Sequence, residues 1–148
     1  GKPMIHDIST DLQNPPEFFA VPALRTTRDN SLDRSDPENL VNLQREHYPD
    51  LNTLFIDRPF EQVFDQAVAL VKKRGWEIAL VSPANGRIEA TDTTFVMGFK
   101  DDVAIRIQIE GNQTRVDMRS VSRAGKGDLG VNAQRIRSFL AALKQQLS

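Results

Sequence analysis

The amino-acid sequence predicts an α+β domain. An antiparallel sheet of about five strands carries two long helices on one face, in the order β-α-β-β-β-β-α, behind an extended N-terminal arm and a short helix. Three observations predict this. Residues 103–110 and 115–120 alternate: Val103, Ile105, Ile107 and Ile109, then Val116 and Met118, share one face, as half-buried strands require. Between them, Gly111-Asn112-Gln113-Thr114 reads as a tight hairpin centred on Asn112 and Gln113. Two segments place apolar residues at helical spacing, Phe60 to Val71 and Ile136 to Leu147, and such helices must bury that stripe on a sheet or on each other.

In chain order, residues 1–35 form the arm and 36–148 the α+β core of one domain. Asn14-Pro15-Pro16 and Pro22 block helix in the arm. Ile5, Ile8, Phe18, Phe19, Val21 and Leu24 are too many apolar residues for a loose tail, so the arm is expected to lie on the body. His6-Asp7 has the form of an oriented imidazole, but a local turn around Asp7, Ser9 and Asp11 explains it better. Asp36-Pro37 starts a short helix that ends before Pro49, with Asp36 as its N-cap. Thr53 to Asp57 is a strand, and Arg58-Pro59 opens the first long helix. Lys72, Lys73 and Arg74 close it, followed by Gly75. Strands follow at Trp76–Ser82 and Arg87–Thr94, joined by Pro83-Ala84-Asn85-Gly86.

Phe95, Val96, Met97 and Phe99 then make an apolar loop, a flap or more simply a lid on the core, ending in the charged loop Lys100-Asp101-Asp102. The glycine-rich stretch 124–130 lacks the Lys-Ser/Thr pair of a phosphate-binding loop, since Val131 and Asn132 follow Gly130. It reads as a connection, with Asn132 capping the last helix. In that helix Ile136, Phe139, Leu140, Leu143 and Leu147 form the core stripe, and Arg135 and Arg137 begin the polar side.

Composition excludes several function classes. Nineteen Lys and Arg against twenty Asp and Glu leave a net charge of −1, without the basic excess of a nucleic-acid binder. With no cysteine there is no disulfide, thiol nucleophile or thiolate metal site. No constellation for a cofactor or metal is recognised. No apolar run spans a bilayer and no signal peptide is present. Gly1-Lys2 stands where a starting methionine is expected, so a targeting or anchoring segment is expected to lie outside this sequence.

Candidate site residues lie on both sheet faces. The expected hairpin register places Arg106 opposite Arg119, and like charges directly opposed are unfavourable. Either Glu89 and Asp117 flank them in a solvated checkerboard of ion pairs, or Arg106 and Arg119 form an anion site. On the inner face the same register aligns Asp92 with Ile105 and Ser120, and Thr94 with Val103 and Ser122. Lys100, Asp101, Asp102 and Arg123 reach this polar end, with Asp128, Asn132 and Arg135 beside it. Inward carboxylates must be paired or hydrogen-bonded. Either these residues tie down backbone, or they form the mouth of a ligand pocket.

Ile88-Glu89-Ala90-Thr91-Asp92, Gly98-Phe99-Lys100-Asp101-Asp102, Arg115-Val116-Asp117-Met118-Arg119-Ser120 and Asp128-Leu129-Gly130 with Asn132 and Arg135-Ile136 resemble the domain of unknown function 1499 family. So do His6-Asp7-Ile8-Ser9-Thr10-Asp11, Asn14-Pro15-Pro16 and Tyr48-Pro49-Asp50 in the N-terminal part; Lys126-Gly127 departs from the usual serine before the aspartate. The resemblance implies a bacterial or plastid-lineage protein often carried behind a membrane segment, in the cell envelope rather than the cytoplasm, and brings no catalytic residue. The expected function is a non-enzymatic binding module for a small ligand, lipid or protein partner. The alternative is an enzyme using Asp101 or Asp102 as base and Lys100 or Arg123 as electrophilic helper.

Overall fold

A computed structural model describes residues 5–34, 37–95, 97–125 and 130–148. Six strands form one antiparallel sheet: β1 (Asp7–Ser9), β2 (Leu54–Ile56), β3 (Glu77–Ser82), β4 (Arg87–Thr93), β5 (Lys100–Glu110) and β6 (Gln113–Ser122). Their spatial order is β1-β6-β5-β4-β3, with β2 also on β6. The helices are α1 (Pro37–His47), α2 (Phe60–Lys73) and α3 (Val131–Gln146). α2 packs on β3, β5 and α3, and α3 packs on β6, β1 and β2. The α+β architecture expected from the sequence therefore holds, with one extra strand drawn from the arm. Asp36, read as the cap of α1, lies outside the described residues.

The inner face is built in rows. Ile105 lies between Ile88 and Met118, Val103 between Ala90 and Ser120, and Asp101 between Asp92 and Ser122. The first two rows are buried beneath the helices, whose side chains Val63, Phe64, Ala67, Ile136, Phe139 and Leu143 complete the core. Trp76 stacks on Phe139 with ring centroids 5.3 Å apart, an offset-stacked pair favourable beyond its buried area.

Two registers differ from the sequence reading. The β5–β6 turn is Gly111-Asn112, so Glu110 pairs with Gln113 and Arg106 with Asp117. Gly111 takes φ +60°, the left-handed position that glycine occupies without steric cost. The slip is two residues, which leaves every side chain on its expected face but replaces an Arg–Arg opposition with Arg–Asp. Along β4 and β5, Asp92 lies opposite Asp101 rather than Ile105, because Lys100-Asp101-Asp102 is not loop but the start of β5. Like charges do meet at Arg87 and Arg106. Each is drawn elsewhere: Arg87 lies over the Phe19 ring at 4.5 Å, and Arg106 turns to Asp11 and Asp117.

The outer face is largely covered, although Gln108 and Glu110 at its hairpin end stay exposed. The arm crosses it, bonding first to β6, then β4, then the ends of β5 and β6. Ile5, Ile8 and Val21 are buried, whereas Phe19 and Leu24 stay exposed. Ile8 enters the helix side of the sheet opposite Ser120, while Asp7 and Ser9 point to the arm side. A 3₁₀ turn at Val21–Leu24 lies over β4. Around Ser9 and Asp11 a side-chain turn forms as expected: Ser9 Oγ donates to the Asp11 carbonyl, and Asp11 Oδ1 accepts from Gln13 and Asn14 N–H. Asp7 belongs instead to β1.

Candidate functional site

The polar end of the inner face is assembled by α3. Gly130, at φ +87°, precedes the helix without a side-chain cap, so Asn132 is not the cap expected. It lies in the first turn and points at the sheet. Its Oδ1 accepts from Ser120 Oγ at 2.6 Å and from Arg135 at 2.9 Å, while its Nδ2 donates to Ser122 Oγ at 2.8 Å. Arg135, three residues on, shares that face and is buried rather than on the polar side. Its guanidinium donates to Asp92 at 2.9 Å and to Ser120 Oγ at 3.1 Å, and lies 2.8 Å from Asp101. Asp92, Asp101, Ser120, Ser122, Asn132 and Arg135 therefore do converge. β4 and β5 supply facing carboxylates, and the arginine between them makes that opposition tenable.

Beside this network an open cleft of about 590 Å³ is lined by Arg74, Trp76, Asp92, Gln134, Arg135 and Ser138, among others. Asp92 is its half-exposed carboxylate, with 30% of the side chain open to solvent. Arg74 is the C-cap of α2. It donates to Ser138 Oγ at 3.1 Å and to the Ser138 carbonyl at 3.3 Å, and its guanidinium lies 6.0 Å from the Phe139 ring centre. Among the described residues it has no carboxylate partner. A second cleft of about 520 Å³ lies between the arm and α1, with Thr10, Gln44, Thr53 and Arg115 on its wall. There the cation is already committed, since Arg115 reaches Asp117 at 3.0 Å and Glu110 at 3.1 Å. Burial would lower the Arg115 pKa, but these two carboxylates raise it overall.

The other sequence-derived candidates face the arm. Asp102 is fully buried between Arg25 and Arg123, with Thr91 Oγ1 donating at 2.7 Å. Its hydrogen bond raises the Arg123 pKa above the ordinary value, against the opposing effect of burial. Arg119 forms a two-pronged pair with Asp7 at 3.0 and 2.8 Å, and also donates to the carbonyls of Pro16 and Leu32. Arg106 reaches Asp117 at 3.4 Å and Asp11 at 3.1 Å. Neither a solvated checkerboard nor an Arg106–Arg119 anion site describes these groups. They are buried seats for the arm, each neutralised by a carboxylate. The one polar end thus divides into two networks on opposite faces, because Asp101 and Asp102 are consecutive in a strand and point to opposite sides.

Lys100 is exposed at the start of β5, and Asp128 lies outside the described residues. Phe95, Met97 and Phe99 are exposed, so they do not form a core lid; Val96 lies outside the described residues. No group of three or more His, Asp or Glu among the described residues is placed to hold a metal. Among those residues no helix is long and apolar enough to cross a membrane.

Sequence reasoning missed Arg74 and Arg25. Arg74 belongs to a basic triplet that the helix dipole explains, and its position after the last helical residue is the one signal it carries. Arg25 carried none, because its partner Asp102 is 77 positions away.

No curated protein sequence matches the chain. Among solved structures it is similar to the crystal structure of TTHA0849 from Thermus thermophilus, at 14% identity and a TM-score of 0.37, over 64% of this chain and 93% of that one. That likeness is too slight to carry an argument. The family model described as Protein of unknown function (DUF1499) matches residues 7–143, nearly the whole chain, and the chain belongs to that family.

Proposed function

We propose that this chain is a non-enzymatic binding module, and that its ligand is a small molecule bearing one acidic group, held in the cleft between α2, α3 and the end of β4. The observation that carries the reading is Arg74. It is a half-buried guanidinium on the wall of a cleft of about 590 Å³, oriented by Ser138 and without a carboxylate among the described residues. Cleft volumes of this order suit small ligands, and a planar guanidinium pairs with a carboxylate or phosphate in two-pronged fashion. Arg135 and Asp92 beside it add a fixed donor and acceptor. The alternative, acid–base catalysis at Lys100-Asp101-Asp102, has less support. A general base must reach substrate, and Asp102 is fully buried and bonded to Arg25, Arg123 and Thr91. An envelope location belongs to the same proposal; its support is the family resemblance.

The test is native mass spectrometry of protein purified from its host, beside a thermal-shift panel of small carboxylic and phosphoric acids. A co-purified mass or a stabilising acid, lost in Arg74→Ala, is expected. Retention of the ligand by Arg74→Ala would overturn the assignment of the cleft, and no shift with any acid would overturn the ligand class.

A further inference from the structure

The β4–β5 hairpin ends in a tip whose large apolar side chains are exposed among the described residues. Phe95 is 101% exposed, Met97 66% and Phe99 53%. Folded proteins seldom leave several large apolar side chains together in water without a use. Thr94, Gly98 and Phe99 are nevertheless tied to one another. The Thr94 N–H donates to the Phe99 carbonyl at 2.7 Å, the Gly98 N–H to the Thr94 carbonyl at 3.0 Å, and the Phe99 N–H to Thr94 Oγ1 at 2.9 Å. Gly98 takes φ +66°, and nothing lies within 4 Å of the Cβ it lacks. Lys100 stands exposed at the base of the tip and has no carboxylate partner among the described residues. Leu24, 54% exposed, lies on the arm side of the same end, next to the Arg25 that holds Asp102.

We propose that this tip contacts a lipid bilayer, with Phe95, Met97 and Phe99 entering the boundary between headgroups and acyl chains and Lys100 among the phosphates. Three features favour lipid over a protein groove. The apolar groups stand at a hairpin end, and Phe95 is fully exposed. Three donor–acceptor pairs are closed within the tip, and an apolar phase excludes backbone groups that still need water. Exposed Lys100 adjoins the apolar patch, where its alkyl stem lies along the apolar boundary while the ammonium meets anionic headgroups. The contact is independent of the cleft, and neither reading needs the other.

The test is sedimentation of the whole chain with vesicles of phosphatidylcholine alone and of phosphatidylcholine with phosphatidylglycerol. The protein is expected to pellet with both, and more with the anionic mixture. The double variant Phe95→Asp/Met97→Asp is expected to lower partition about tenfold or more without moving the melting temperature, because both side chains are already in water. Lys100→Glu is expected to erase the preference for phosphatidylglycerol. A wild type that stays in the supernatant with both vesicles overturns the proposal, as does a double variant that pellets like wild type. A photo-crosslinking amino acid in place of Phe95 separates the two kinds of partner in the host cell. A lipid adduct supports membrane contact, and a protein adduct in its place overturns it.

Discussion

The Glu89 carboxylate accepts the backbone N–H of Val21 at 2.9 Å, across 68 positions of sequence. The same carboxylate takes the N–H of Phe19 at 2.9 Å and of Ala20 at 3.0 Å. Three donors that open the 3₁₀ turn of the arm are thus satisfied by one buried acid in the middle of β4. Ala20, the turn's own cap residue, has no side chain to offer. Glu89→Gln keeps the shape but presents an NH₂ where N–H groups need acceptors. It is expected to cost about 1.5–3 kcal/mol, the range for hydrogen bonds to a charged group. Urea melts measure it, and an unchanged midpoint would show that the arm is held elsewhere.

Asp102→Asn tests whether the outer cluster is structural. The carboxylate stands between Arg25 and Arg123, and removing its charge leaves two guanidinium groups together with little solvent. Breaking a buried pair by removing one partner costs about 3–5 kcal/mol. Faster proteolysis within residues 5–34 should accompany the loss, because Arg25 ties the arm to the sheet. A binding residue would behave in the opposite way, with stability kept or raised and ligand lost.

Gly86→Ala should be among the costliest single-methyl changes in the chain. Gly86 takes φ +64°, and an added Cβ would stand 2.1 Å from the Ile107 carbonyl oxygen. The left-handed conformation alone costs an L-residue about 1–2 kcal/mol. The overlap must also displace the Ile107 N–H bond to the Gly86 carbonyl, now 2.7 Å. Thermal melts should place Gly86→Ala well below Gly75→Ala, where φ is +74° but nothing lies within 4 Å. Equal melting temperatures would refute the close approach.

Asp50 provides a pH test. Its hydrogen bond with Arg137 holds the carboxyl below the ordinary value of 3.8, with slight burial opposing. A depressed folded-state pKa adds stability above the unfolded value and loses it as pH falls through the folded one. Above pH 3.8, Asp50→Asn should be less stable than wild type by well under about 1 kcal/mol, since both groups are half in solvent. The difference should vanish below the depressed value. Paired denaturant titrations on either side of pH 3.8 measure it, and a gap that widens as pH falls would contradict the sign.

The elements legible in the sequence were those with a local period. The α2 and α3 stripes, the β5 and β6 alternation and the glycine-ended turns all followed from spacing. Faces were legible too, because a two-residue slip preserves them. Partners across strands were not. Whether Arg106 meets Arg119 or Asp117 depends on which residue takes the left-handed turn position, and both Gly111 and Asn112 tolerate it. The sequence pattern gathers Asp92, Asp101, Ser120, Ser122, Asn132 and Arg135 at one inner end as the fold does, but it also draws in Asp102 and Arg123, which lie on the other face. What the arm does was least visible. Its polar contacts are with residues far along the chain, and nothing in residues 5–34 announces that Glu89, Asp102 and Arg119 await them.

The distances in sequence that seat the arm have a consequence for biosynthesis. Thr10 bonds Asp117 across 107 positions, and Asp7 bonds Arg119 across 112. Residues 5–34 therefore leave the ribosome long before β6 exists to receive them. Contacts of such separation close late, and until then Ile8 has no strand to pair with. A chain that stops short of β6 lacks the strand that receives Asp7, Ile8 and Ser9. The N-terminal strand therefore docks only after the last strand of the sheet has been made.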